Sequence, residues 1–179
     1  LAASVHCCAV VDAILAGDSV PRPAAQPSLR GARLAVPQTV VLNGMDATVA
    51  AAFERALQRL SAAGAQLTHI DLPEFAELGT LHARGTLAAA EAWAWHRTLL
   101  SQRGNEYDPR VASRIRGAQA MGAADYIDLL HARRRWIAQV EARTAAFDAL
   151  VMPTVPVVAP PIADLQASDE AYAAANGLL

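Results

Sequence analysis

At 179 residues the chain is long enough for one domain with a hydrophobic core, and an apolar fraction of 54% with positive mean hydropathy excludes a disordered chain. The net charge of −2 argues against nucleic acid or an anionic membrane surface as partner, and no apolar run reaches the ~18 residues of a membrane span. All 15 basic residues are arginines, so the chain contains no lysine.

The first predicted element is a helix over residues 4–16, with Gly17 as its C-cap. It carries the only two cysteines, Cys7 and Cys8. Adjacent helical residues point about 100° apart, so we expect no shared disulfide and, even with His6 beside them, no metal site. We expect both thiols to face a core in a reducing compartment, which favours a cytoplasmic protein.

A strand, a helix and a second strand are predicted next, after a proline-containing surface connection over residues 18–31. Residues 33–36 predict a strand that Pro37 ends, and Asp46 is the predicted N-cap of an amphipathic helix that Gly64 closes. Residues 65–72 predict the second strand. Such a unit favours a sheet with helical crossovers, that is, an α/β fold.

The middle of the chain is predicted to be helical. Residues 79–100 predict one continuous helix, and Asp108 followed by Pro109 predicts the start of a short one. A long helix is predicted from about residue 123 to residue 146. Four isolated histidines and Glu91 lie within or between these elements, and we interpret them as structural or surface residues.

One arginine of the long helix is predicted to be buried. Arg133 shares an apolar stripe with Tyr126 and Ile137, which we expect to face the sheet. A buried guanidinium needs a partner, and Asp148 at the end of the helix is the candidate. We therefore predict a structural ion pair between Arg133 and Asp148 and favour it over a catalytic role.

Residues 147–156 predict a short strand buried on both faces, because five of the first six residues are apolar. The prolines at 153, 156, 160 and 161 exclude a helix, and they cannot serve a central strand. The chain must leave the sheet as a stiff, extended loop. In open α/β sheets, a loop at the carboxyl end of a strand is where ligands usually bind.

Two stretches resemble the amidase signature family. Phe-Asp-Ala-Leu-Val-Met-Pro-Thr-x-Pro at residues 147–156, followed by Ala159 and Pro160, is similar to that family's C-terminal strand and loop. The first helix, with Ser4, Val5 and Gly17, resembles the helix after the family's catalytic core. The resemblance implies a mixed sheet flanked by helices, an incomplete C-terminal portion of the amidase signature α/β/α fold. Residues 1–179 would then form one domain truncated at both ends.

The same resemblance implies an activity. Amidase signature enzymes hydrolyse carbon–nitrogen bonds of carboxamides with a nucleophilic Ser, a second Ser on a cis peptide and a Lys base, without cofactor or metal. This chain has no lysine, no adjacent serines and no glycine pair. The catalytic residues would therefore lie outside it. A small amide would be the substrate of the full-length enzyme, and we expect the chain alone to be inactive.

Two residues are candidates for substrate binding. In the glutamine-dependent amidotransferase branch, an Arg-Ile pair on the short helix before the Tyr-containing helix helps to bind the substrate carboxylate. Arg114 and Ile115 match this pattern, but a single arginine and a displaced glycine mean that specificity for glutamine does not follow. Thr154 is the second candidate, because it lies on the proline loop that would line the pocket.

A second interpretation remains open: the chain could be a free-standing, non-catalytic α/β binding or regulatory module that kept the amidase scaffold. A third, a helical interaction domain, fits the alanine-rich helices but does not explain the strands predicted at Leu34, Leu67 and Leu150. If it is a truncated amidase, strand edges and apolar helix faces are left without cover. We then expect self-association through those surfaces, or poor packing of the residues after Pro161.

Overall fold

A computed structural model of the chain describes residues 3–18 and 28–177. The strands are β1 (Arg33–Pro37), β2 (Gln66–Ile70) and β3 (Ala149–Leu150). The helices are α1 (Val5–Ala16), α2 (Ala47–Ala62), α3 (Leu78–Leu81), α4 (Leu87–Arg103), α5 (Pro109–Arg116), α6 (Ala123–Thr144), α7 (Ile162–Gln166) and α8 (Asp169–Gly177). Short 3-10 helices span Pro73–Glu77 and Gly104–Glu106. Most of the predicted connection 18–31 lies outside the described residues.

The strands form one parallel sheet with the order β2-β1-β3. β1 and β2 are joined by α2 and pair in parallel, with Leu34 opposite Leu67. β3 joins the other side of β1, with Leu34 opposite Ala149. Parallel neighbours need a crossover connection, and α2 provides it for the first pair. The predicted α/β sheet with flanking helices is confirmed, and the interpretation as a purely helical domain is wrong.

The core of the sheet is β1, not β3. Ala35 and Val36 are fully buried, because β1 has a paired strand on each side. β3 is only two residues long, with Ala149 exposed and Leu150 half-buried. The prediction of a β3 strand buried on both faces is therefore wrong. Within the described sheet β3 is an edge strand, and nothing covers its outer side.

The predicted caps at Gly17, Asp46 and Asp108 are present, and Ser4, which was predicted to lie inside the first helix, is the N-cap of α1. Ser4, Asp46 and Asp108 each accept a backbone N–H of the first helical turn, at 3.1, 2.7 and 2.8 Å. Gly17 ends α1 with a φ of +78°, in the left-handed region. Gly64, with a φ of +95°, follows α2, and a Cβ there would lie 3.1 Å from Cα of Arg30. These local signals succeed because each acts within one turn of chain.

The predicted helix 79–100 is two helices. α3 ends at Leu81, and a turn containing Gly85 at a φ of +121° precedes α4. The Thr86 hydroxyl accepts the Ala89 N–H at 3.1 Å and thereby caps α4. A Cβ on Gly85 would lie 2.7 Å from Cε of Met121. Gly85 followed by Thr86 could have predicted the end of one helix and the start of the next. The apolar periodicity on either side led to the prediction of one continuous helix.

The Arg133–Asp148 pair is absent, and this prediction is wrong. Asp148 instead accepts the Arg33 backbone N–H at 2.7 Å and its guanidinium at 3.1 Å. The cause is the strand register. Because Leu34 is opposite Ala149, Asp148 lies beside Arg33, the first residue of β1. These hydrogen bonds, the backbone one first, lower the pKa of Asp148. Arg133 is exposed on α6.

A half-buried ion pair lies elsewhere, between the buried Glu74 and the partly exposed Arg143. Glu74 is 6% exposed, and Arg143 donates to its carboxylate from Nε at 2.8 and 3.0 Å. The Trp136 indole N–H donates to the Glu74 backbone carbonyl at 2.7 Å, and the Trp136 ring stacks on Phe75. These contacts attach α6 to the 3-10 helix after β2. The Arg143 hydrogen bond is the main reason why the pKa of Glu74 is lowered.

The cysteines do not face a core. Cys7 and Cys8 are both exposed, so this expectation is wrong. α1 buries only Ala13, while Leu15 is 82% exposed and Val5 is 80% exposed. The apolar residues of α1 therefore form an open surface. None of the described helices is both long and apolar enough to cross a membrane.

We predict that Glu74→Gln lowers thermal stability in a pH-dependent way. The pKa of Glu74 is lower in the folded state than in the unfolded chain, so its contribution is present above about pH 4.5 and is lost as pH falls through the folded pKa. The difference in Tm between the variant and the wild type should be largest near pH 7 and shrink toward pH 3. Circular dichroism melts at several pH values measure it.

The control for this experiment is Glu77→Gln, which changes an exposed carboxylate at the end of the same 3-10 helix. We expect little change in Tm for this variant. A Glu74→Gln deficit that is constant or grows as pH falls would show that the ion pair with Arg143 does not stabilise the fold.

Candidate functional site

The carboxyl edge of the sheet is the first candidate site. β1, β2 and β3 are parallel, so they end at the same edge, at Pro37, Ile70 and Leu150. The loop after β1 and the proline loop after β3 leave the sheet there. In open α/β sheets this edge is where ligands bind. The sequence placed the proline loop correctly, although β3 itself is less buried than predicted.

Asp46 fastens the two loops to each other. Its Oδ1 accepts the Val49 N–H at 2.7 Å, which caps α2. Its Oδ2 accepts the Val158 N–H at 2.7 Å, and its own N–H donates to the Pro156 carbonyl at 2.9 Å. Because proline has no N–H, the loop has few donors with which to attach itself. One carboxylate therefore holds both α2 and the proline loop.

The environment of Asp46 favours its ionised form. Its pKa is lowered, first by the hydrogen bond from the Val49 N–H and second by that from Val158. The N-terminus of α2 adds the positive end of a helix dipole. The carboxylate is thus engaged in structural contacts rather than free to act as an acid or base.

The loop after β1 is held on its other side and contains backbone strain. Gln38 donates to the Val36 carbonyl and contacts Nδ1 of His69, both at 2.9 Å. The Thr39 hydroxyl accepts the Leu72 N–H at 3.1 Å. Between these anchors and α2, Val40 has a φ of +67°. A β-branched residue in the left-handed region is strained by roughly 1–3 kcal/mol, which is typical of functional loops.

Thr154 lies on the proline loop at this edge, and its side chain is exposed. Val158 and Met152 of the same loop are exposed large apolar residues. The loop therefore presents one hydroxyl among apolar groups, a composition suited to lining a pocket for a small molecule. The role of Thr154 as a substrate contact stays a prediction.

Arg114 lies in a different cleft, of about 480 Å³, between α5 and α8. The cleft is lined by residues of α5, among them Arg110 and Ser113, and of α8, among them Asp169, Tyr172 and Asn176. Thr154 does not line it. Of the two predicted substrate-binding residues, Arg114 alone therefore lines this cleft.

A second arginine in this cleft was missed by the sequence analysis. Arg110 Nε donates to Asp169 Oδ1 at 2.7 Å, and its guanidinium carbon lies 4.4 Å from the centre of the Tyr172 ring. Arg114 takes part in none of the ion pairs found among the described residues. The available signal was that Arg110 and Arg114 are one helical turn apart. Nothing local indicates that Asp169 and Tyr172 meet Arg110.

A further cleft, of about 600 Å³, lies between α4 and α6 and includes Glu91. Glu91 is exposed there, together with Arg97 on the same helix. In the described chain no histidine, cysteine, aspartate or glutamate belongs to a cluster of three or more that could hold a metal. The chemistry these surfaces offer is recognition by arginine, hydroxyl and aromatic groups.

The parallel sheet, with the proline loop held at its carboxyl edge, defines the class: this is an α/β domain. The family model described as Amidase matches residues 8–178, and the chain belongs to the amidase family. The predicted resemblance is therefore confirmed.

Similar proteins support this assignment. The chain is 35% identical over 153 residues to the 2-amino-5-chloromuconic acid deaminase of Comamonas testosteroni, covering 83% of this chain and 32% of the relative. It is 29% identical to one of the subunits of the glutamyl-tRNA(Gln) amidotransferase of Symbiobacterium thermophilum, covering 75% of this chain and 32% of the relative. A crystal structure of an amidase superimposes with a TM-score of 0.72 at 26% identity, over 89% of this chain and 35% of that chain.

The chain thus spans about a third of the length of the relatives that it matches. The matched portion contains the sheet, the proline loop and the α5–α8 cleft. It contains no lysine.

We predict that Asp46→Asn separates the two functions of this carboxylate. An asparagine can still cap α2 through its oxygen, since Asn and Asp are equally good N-caps. Its NH₂ group cannot accept the Val158 N–H. Amide hydrogen exchange over residues 151–161 should therefore accelerate, while the first turn of α2 keeps its protection.

Two comparison variants accompany this experiment. Asp46→Ala should accelerate exchange in both segments, because it removes the cap as well. Asp71→Asn, at an exposed aspartate after β2, should change neither. If the proline loop exchanges equally fast in wild type and Asp46→Asn, Asp46 does not hold the loop.

Proposed function

We propose that this chain is the C-terminal, substrate-facing part of an amidase that hydrolyses the carbon–nitrogen bond of a carboxamide. The full enzyme would use a nucleophilic Ser, a second Ser on a cis peptide and a Lys base, all outside residues 1–179. A weak hydroxyl nucleophile needs a neighbouring base, and a desolvated, neutral Lys can serve as one. The lack of any lysine here supports the assignment of the base to the remainder of the protein.

The observation that carries this proposal is the attachment of the proline loop. Asp46 holds the loop at the carboxyl edge of the sheet through Val158 and Pro156, at 2.7 and 2.9 Å. A loop fixed in this way can present Thr154 and its apolar neighbours to a substrate bound between it and the catalytic portion. Positioning of this kind supports catalysis because a substrate held in a reactive geometry reacts faster.

Arg114 is proposed to recognise a carboxylate of the substrate. Arg114 lines the α5–α8 cleft and joins none of the ion pairs among the described residues. A planar guanidinium matches a carboxylate in size and hydrogen-bond geometry. The Comamonas testosteroni relative is a deaminase of a muconic acid derivative, and this carboxylate-bearing compound supports an acidic substrate for this chain too.

We predict that the 179-residue chain alone releases no ammonia from simple amides above background, and that it restores activity when joined to a catalytic portion. In a chimera, it would replace the matched third of the Comamonas testosteroni deaminase, which is 35% identical to it. Ammonia release from 2-amino-5-chloromuconic acid measures whether the chain completes the deaminase site. Because this compound carries an amine and not a carboxamide, ammonia release from simple carboxamides by the chimera is measured beside it. The chimera should be active, because the chain would complete the sheet and the substrate pocket.

Variants of the chimera test the assigned residues. Arg114→Gln should raise KM about tenfold, the effect of losing a hydrogen bond to a charged group. Arg116→Gln, on the same helix but outside the cleft, should leave KM unchanged. A soluble, folded chimera without activity would refute the proposal, as would serine-independent turnover by the isolated chain.

Self-association of the isolated chain is a second proposal. Ile14 and Leu15 of α1, Trp95 of α4 and Ile162 of α7 are exposed large apolar residues. Soluble monomers seldom expose apolar patches beyond a few hundred Å². In the complete enzyme, the remaining two-thirds of the length would cover part of this surface.

We predict concentration-dependent sedimentation of the isolated chain. Ile14→Gln combined with Leu15→Gln should shift the chain toward the monomer, because it removes apolar surface from α1. Arg134→Gln, at an exposed arginine of α6, serves as the control and should not. A sedimentation coefficient that stays constant across the concentration range would contradict self-association.

A further inference from the structure

Two arginines of α5 face the same cleft. Arg110 and Arg114 are separated by one helical turn, so their Cβ atoms lie ~5–6 Å apart. Both line the 480 Å³ cleft, opposite Tyr172 and Asn176 of α8. The volume is in the range of small-molecule sites, which is roughly 300–1,000 Å³.

The Arg110 side chain is held in place by two contacts, but these contacts only partly satisfy its guanidinium group. Its Nε donates to Asp169, and its guanidinium lies over Tyr172 in a cation–π contact at 4.4 Å. The Asp169 side chain is 82% exposed, and exposed ion pairs contribute little to stability. Among the described contacts, the terminal nitrogens of Arg110 have no hydrogen-bond partner. A ligand carboxylate can bind these nitrogens beside Asp169 or in its place.

The charges of the cleft are unequal. Two arginines, Arg110 and Arg114, and one aspartate, Asp169, line the cleft, and its other polar groups are the hydroxyls of Ser113 and Tyr172 and the amide of Asn176. A ligand with one carboxylate satisfies Arg114 and leaves Arg110 to Asp169. A ligand with two carboxylates can engage both arginines, and its body then lies along the Tyr172 ring.

We propose that the α5–α8 cleft selects a dicarboxylate, with one carboxylate on Arg114 and the second on Arg110. Arg110 is thereby the residue that distinguishes diacids from monoacids. This inference rests on the proposed role of Arg114 in binding the substrate carboxylate. It adds a second contact, a substrate class and a specificity residue.

The test compares two acids that differ in one carboxylate. Muconate and sorbate have diene skeletons of equal length, with a carboxylate at both ends in muconate and at one end in sorbate. Isothermal titration of the 179-residue chain should give about tenfold tighter binding of muconate, the gain expected from one charge-assisted contact. Arg110→Gln should abolish this preference and keep sorbate binding, and Arg110→Lys should retain part of it.

The remaining variants separate this inference from the proposed function. Arg114→Gln should weaken the binding of both acids, and Arg116→Gln should change neither. Circular dichroism checks that each variant is folded. If sorbate binding depends on Arg114 but muconate binds no better, or if the preference survives Arg110→Gln, the diacid inference alone is overturned. If Arg114→Gln binds sorbate like the wild type, or if neither acid binds the chain, the role of Arg114 fails and the diacid inference with it.

Discussion

The pairing of β1 on both of its edges is the constraint on which the structure depends. β1 is the strand with neighbours on each side in the described sheet, and it contains the fully buried Ala35 and Val36. One neighbour, β2, returns after a single helix. The other, β3, arrives only after α3 to α6. The α-helical middle of the chain therefore lies between β2 and β3, two strands that both pair with β1.

Three carboxylates hold this arrangement together at a distance along the chain. Asp148 bonds to Arg33, Asp46 to the Val158 N–H, and Glu74 to Arg143, over separations of 115, 112 and 69 residues. In each case hydrogen bonds to the ionised form lower the carboxyl pKa. Protonation at low pH weakens all three contacts together. Acid should therefore loosen the contacts between distant segments before it unfolds the individual helices.

The sequence predicted what depends on nearby residues. The caps at Asp46 and Asp108, the β1–α2–β2 unit and the proline loop depend on residues that are close together in the sequence, and the structure has them. The family resemblance was also readable, because its motif covers one continuous stretch around Pro153. Each of these signals depends only on neighbouring residues in the sequence.

The predictions that were wrong concern residues whose partners are distant in the sequence. Arg133 and Asp148 share an apolar context in sequence, but strand register places Asp148 beside Arg33, and no helix periodicity reveals a register. The burial of β3 and of Cys7 was inferred from apolar character alone. Apolar residues are buried only when some other element covers them, and in the described chain Leu150 of β3 is only half-buried and Cys7 is exposed. The contacts of Arg110 with Asp169 and Tyr172 were missed for the same reason, because these partners are distant in the sequence.

The topology of the sheet has a consequence for biosynthesis. About 80 residues separate the end of β2 from the start of β3. At ~5–20 residues per second, a ribosome needs roughly 4–16 s to make this stretch. During that time β1 and β2 can pair, while the second edge of β1 displays unpaired backbone groups that can bind another chain. The nascent protein therefore passes through an interval in which one edge of its central strand is unpaired and can be bound by a chaperone.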